Sequence, residues 1–201
     1  MLFGLPDSDE VFMRYFDRWY DPADRERRVY PAVRPDALIV DEYVGINPLD
    51  ASPLTESCQA EVHDMVFGMI EAAREDWPSY LPVSGPMDNQ WIDAFDKHHN
   101  KSCIKKLIKA SDPTDFSNEL IVRCCEFGAV IGSVMIETLP GLHWVYDWPY
   151  WDSSVFDPDA GMLVYVFHWS IKKFSSYGID DGFSAKLVAC CRSIEEERQK
   201  R

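Results

Sequence analysis

Residues 117–138 read SNELIVRCCEFGAVIGSVMIET, and this stretch decides the fold. Glu119, Arg123, Glu126, Ser133 and Glu137 fall on one narrow stripe, and nearly every other residue is apolar. The spacing predicts a helix about 33 Å long, enclosed by protein on most sides, which makes it the centre of the core. Gly128 and Gly132 lie four apart on one face. Each costs about 1 kcal/mol of helix propensity relative to Ala, so a neighbouring backbone is expected to press on that face.

Beyond Pro140-Gly141 the pattern switches to period two, with aromatic and β-branched residues. It predicts strands over Leu142–Trp148, Ser154–Phe156 and Met162–Trp169, with Asp157–Gly161 as a hairpin loop between the last two. A helical turn is expected at Ile171–Phe174. A final helix capped by Asp180-Asp181-Gly182 should turn Phe183, Leu187, Cys190 or Cys191, and Ile194 inward, with residues 195–201 as a fraying polar tail. On the N-terminal side, Ser8-Asp9-Glu10 opens a helix to about Tyr20 that carries Phe12, Phe16 and Trp19. Residues 21–35 read as a charged, proline-rich connection, and Ala37–Val40 as a short strand. Ser52-Pro53 reads as the start of a long helix running to Pro78, with Leu54, Cys58, Val62, Met65, Met69 and Ala73 as its apolar stripe. Two shorter helices, from Asp88 and from about Lys101, form a helical hairpin. Helices followed by strands give an α+β fold: N-terminal helices and a long central helix packed on a small antiparallel sheet, then a C-terminal helix. The chain reads as a single domain, 1–201, with residues 1–35 as an N-terminal helical arm and linker and 117–201 as a helix–sheet–helix core.

The 201 residues are 46% hydrophobic and 27% charged, a balance that excludes a disordered chain. Asp and Glu number 34 against 20 Lys and Arg, a net charge of −14. A field of that sign repels phosphate backbones and attracts cationic partners, so nucleic acid is not an expected partner. Lys97, Lys101, Lys105, Lys106 and Lys109 then read as a solvated helix face. The first residues lack the basic and apolar regions of an export signal, and no apolar run approaches the ~20 residues of a membrane span, so a cytoplasmic protein is expected. The six cysteines, two pairs of them adjacent, are expected to be reduced.

Chemical motifs are sparse. His99 and Cys103 stand at i, i+4 beside His98, half of a zinc site, but Lys101, Lys105 and Lys106 oppose a dication and no second ligand pair follows. Asp157, Asp159 and Gly161 depart from a calcium loop, because glycine stands fifth and His168 twelfth. No phosphate-binding glycine motif and no nucleophile elbow occurs. Cys58 and His63 lie roughly 140° apart around a helix, while Cys103, Cys124 and His168 meet only if the fold brings them together. No catalytic residue, metal or cofactor is therefore expected.

The segment Trp144-Val145-Tyr146-Asp147-Trp148-Pro149-Tyr150-Trp151-Asp152 places aromatic side chains on both sides of a proline, so one sheet face cannot bury them all. Tyr and Trp dominate interface energetics. The expected partner-binding set is accordingly Trp144, Asp147, Trp148, Tyr150, Trp151, Asp152, Asp157 and Asp159. Residues 120–191, with Gly128-x-x-x-Gly132, Trp144, the aspartate-rich loop and Ile171-Lys172-Lys173, resemble an uncharacterised bacterial family of small domains, which implies a fold and no catalytic residue. In outline the acidic chain is similar to immunity proteins, which implies neutralisation of a basic toxin domain by protein–protein contact. The alternatives are a small enzyme with a fold-assembled Cys/His site and a housekeeping adaptor.

Overall fold

The computed structural model describes residues 4–26, 32–179 and 181–201. Arg27 and Arg28 of the charged connection and Asp180 of the expected last cap lie outside them. Asp7 and Glu10 form a capping box that starts α1 (Ser8–Tyr15). The helix stops earlier than its apolar spacing predicts, because Asp17–Trp19 tightens into a 3₁₀ turn. Val11, Phe12, Tyr15 and Phe16 are buried in the main core, so α1 is part of that core and not an arm. A short helix, α2 (Pro22–Glu26), follows, and Ala37–Ile39 forms strand β1.

After α3 (Pro48–Ala51), the long helix α4 (Glu56–Asp76) begins behind Thr55, not at Ser52. Its buried face is Val62, Val66, Ile70 and Ala73. The stripe read from the sequence is thus rotated, and Cys58 and Met65 face outward. Helices α5 (Asn89–His98) and α6 (Lys101–Ala110) have Asp88 and Asn100 as caps, and both pack on α7 (Glu119–Thr138). That central helix buries thirteen residues, including both glycines.

Strands β2 (His143–Val145), β3 (Ser154–Asp157) and β4 (Met162–Val164) complete a four-stranded antiparallel sheet in the order β1-β4-β3-β2. The fold is α+β. The predicted third strand ends at Val164, and Val166–Lys173 is helix α8. All eight residues of α8 are buried. Its alternating apolar letters therefore do not distinguish an inner from an outer face, and a helix hides them all. A Cβ on Gly128 would lie 2.8 Å from the Phe167 Cα, so α8 crosses α7 there, backbone to backbone. Gly132 instead receives the ring of Trp144. The last helix, α9 (Phe183–Lys200), continues through the expected fraying tail, because Arg198 pairs with the fully buried Asp157 and Arg201 with Asp41.

The sheet separates two apolar layers. The main core, around α7, lies on one face. Val145, Phe156, Leu163 and Tyr165 form a second cluster on the other, covered by Val40, Tyr43 and Ala51.

Candidate functional site

The turn between β2 and β3 is built by short-range polar contacts. The Asp147 N–H donates to Ser153 Oγ at 3.1 Å, and the Trp148 N–H donates to the Asp147 carboxylate at 2.7 Å. The Trp148–Pro149 peptide is cis, and Tyr150–Asp152 forms a 3₁₀ turn. The Ser52 hydroxyl donates to the Tyr146 carbonyl at 2.6 Å, which pins the approach to α4 against this turn.

These contacts divide the eight residues expected to bind a partner. Trp148, 52% exposed, and Asp159 face solvent, whereas Trp144 and Asp147 are half-buried. Tyr150, Trp151, Asp152 and Asp157 are buried, and the expectation that they form an outer surface is corrected. Trp151 meets Phe16 edge-on with centroids 5.2 Å apart, and its Nε1–H donates to the Tyr20 hydroxyl at 2.9 Å. Phe16 and Tyr20, just beyond α1, cover Trp151, while Phe116 and Phe167 flank Tyr150. Asp157 caps the β3–β4 turn by accepting the Ala160 N–H at 2.7 Å, and it also accepts from Arg198 Nε at 2.9 Å.

Asp152 belongs to a buried network that also holds His168. The Arg34 backbone N–H donates to His168 Nδ1 at 3.0 Å, so that nitrogen carries no proton. The proton of the neutral ring is on Nε2, which lies 3.0 Å from Asp152 Oδ1 and donates to it. Burial holds the His168 pKa below its usual value, against the pull of Asp152. Burial pushes the Asp152 carboxyl up, but hydrogen bonds from His168 and Tyr20 and the charge of Arg34 outweigh it and hold the carboxyl low. A cleft of about 390 Å³ beside this network is lined by Arg34, Tyr43, Ser52, Asp152, Ser154 and Tyr165, among others. Both ring nitrogens of His168 are already used, so the imidazole has no free lone pair to take a proton from a serine in that cleft. The His–Asp pair fixes the turn in place; it is not arranged as a nucleophile's base.

A second recess, about 360 Å³, lies over the outward face of α4 and is lined by Leu54, Cys58, Glu61, Val62, Met65 and Trp148. The rotation of the α4 stripe creates it, since Cys58 and Met65 are left for Trp148 to lean over. Its electrostatic setting can be read from the whole chain. Residues 35–73 hold eight Asp and Glu and no Lys or Arg, and residues 124–171 hold six and none. The rest of the chain carries twenty of each sign, so these two segments account for the entire −14. They pack together through α4 with α7 and α3 with β2, and the recess lies on their seam. Among the described residues, Asp50, Glu56 and Glu61 join no ion pair. The absence of basic residues from 35–73 is an unused signal in the sequence that could have marked this face.

At the α5–α6 corner, His98, His99 and Cys103 each bring one ligating atom within 4.8 Å of the others. His99 is buried, and its Nδ1 lies 3.0 Å from the Phe95 carbonyl. Burial pushes the His99 pKa down to about 3, against the opposing effect of that hydrogen bond. Cys103 is half-buried, and burial raises its thiol pKa. Lys97, Lys101, Lys106 and Lys109 are exposed, in keeping with a solvated face.

No protein-family model, curated protein or solved structure matches this chain. Among the described residues no helix is long and apolar enough to cross a membrane.

Proposed function

We propose that this chain is a binding protein for a basic protein partner, and that the partner docks on the recess between α4 and the Trp148 turn. The observation that carries the reading is an exposed tryptophan beside an apolar recess, on the seam of the two segments that hold the whole net charge. An aromatic anchor beside the unpaired Glu61, on an acidic face, suits a partner that presents an apolar side chain among lysines and arginines. The finer reading is an immunity protein that neutralises a basic toxin domain, supported by charge and fold class. The enzyme alternative gains nothing from the buried His168–Asp152 pair, whose ring nitrogens are already engaged.

Photo-cross-linking tests the reading. Met65→benzoylphenylalanine puts a reactive group in the recess, and the same residue at position 101 serves as a control away from it. Expression in the source cell should give one dominant adduct, from position 65 only, to a protein with a basic domain. If that domain is toxic alone and harmless when co-expressed with this chain, the finer reading stands. Equal adducts from both positions, or an acidic partner, would refute the docking site.

A further inference from the structure

We propose that His98, His99 and Cys103 form a binding site for a zinc-type divalent cation at the α5–α6 corner. The three side chains supply two imidazole nitrogens and one thiolate, the donor set that zinc favours, and their ligating atoms already lie within 4.8 Å of one another. In a tetrahedral zinc complex such atoms stand about 3.4–3.6 Å apart, from Zn–N of ~2.0–2.1 Å and Zn–S of ~2.3 Å. The remaining approach of about 1 Å falls to His98 and Cys103, which are exposed and half-buried, so rotamer changes supply it without moving a helix.

The hydrogen bonding of His99 is that of a ligand held in place. With Nδ1–H donated to the Phe95 carbonyl, Nε2 keeps its lone pair and accepts no hydrogen bond from any described residue. A metal-binding histidine almost always has its second nitrogen fixed in this way, which orients the ring and raises its basicity. The ring is also stacked on Phe95 at 3.8 Å, so its direction is set before any ion arrives.

The lysines of α6 oppose a cation less than their number implies. Lys101 and Lys105 leave the helix about 160° from Cys103, on its far side. Lys105 lines a different cleft, with Arg14 and Pro6. Lys106, Arg123 and Lys173 do reach Cys103, against the opposing charge of Glu119, but Arg123 is itself paired with Glu126 and Lys173 with Asp96. As the Zn–S bond forms, Cys103 gives its thiol proton to solvent, so the site gains only one net positive charge. Three protein ligands leave the fourth position to water.

The test uses the full chain, reduced and freed of metal, with zinc and cobalt(II) as the probes. The chain should bind one zinc at about micromolar Kd or tighter, and cobalt should give the thiolate charge-transfer band and strong visible absorption of a tetrahedral complex. Cys103→Ala should remove the charge-transfer band. His98→Ala, an exposed change that leaves the fold intact by circular dichroism, should weaken zinc at least about tenfold. Cys58→Ala should change neither reading. Absence of stoichiometric binding at about 100 μM zinc, a weak octahedral cobalt spectrum, or a band that survives Cys103→Ala would each overturn the site.

Discussion

Two buried histidines contribute to the pH dependence of folding. His99 and His168 are both held neutral by burial, His99 with its pKa down to about 3. Below the unfolded value of 6.5, the unfolded chain binds protons that the native chain refuses, so stability is complete above that pH and falls as pH drops. The slope approaches about 1.4 kcal/mol per pH unit for each histidine. Glu126 acts the other way at the acid end, since burial raises its pKa above the usual value. Urea unfolding midpoints in metal-free buffer should therefore decline from pH 7 to pH 4.5, and His99→Gln should flatten that decline. A pH-independent midpoint would contradict the buried neutral assignment. Little of this was legible in the sequence: His168 sits in an alternating apolar run, and its partners Arg34 and Asp152 are far from it along the chain.

At the scale of elements, α7 was the most readable part of the molecule and α8 the least. In α7 the polar stripe stays exposed or half-buried except at Glu126, which is buried against Trp77 and Arg123, whereas in α8 every residue is buried and the period is lost. The crossing of these two helices makes a direct prediction. Gly128→Ala would put a methyl group against the Phe167 backbone, which cannot yield as a side chain does, and should cost about 1–3 kcal/mol in equilibrium unfolding. Ile131→Ala, on the same helix, should cost about 2–5 kcal/mol by leaving a cavity. The end of α9 was misread for a related reason. A run of Glu, Arg and Lys looks like a solvated tail, but Asp157 is buried and needs Arg198. Arg198→Ala should approach the ~3–5 kcal/mol cost of stranding a buried charge, reduced by water that reaches the partly exposed arginine. A loss below the error of a denaturation curve would show that the pair is unimportant.

Across the whole molecule, composition revealed a charge that suits a basic partner, and the aromatic segment pointed to the turn on which the proposed docking site is built. It did not say which side chains the turn exposes. That depended on Phe16 and Tyr20, which cover Trp151, on Phe116 and Phe167, which flank Tyr150, and on the rotation of α4, which leaves Cys58 and Met65 uncovered. Trp148 is thus the residue of the expected set that meets the recess directly. Two separable effects follow. On the proposed docking, the carboxylates would steer encounter over a distance that salt screens, about 10 Å at 0.1 M, while a desolvated tryptophan would slow departure. The most direct measurement is the kinetics of binding between this chain and the cross-linked partner, at about 0.05 M and about 0.5 M salt. Association should slow severalfold at high salt and on changing Asp50, Glu56 and Glu61 together to Asn or Gln. Trp148→Ala should leave association nearly unchanged and raise the dissociation rate about thirtyfold or more, the equivalent of ~2 kcal/mol. Association indifferent to salt, together with dissociation indifferent to Trp148→Ala, would contradict the account.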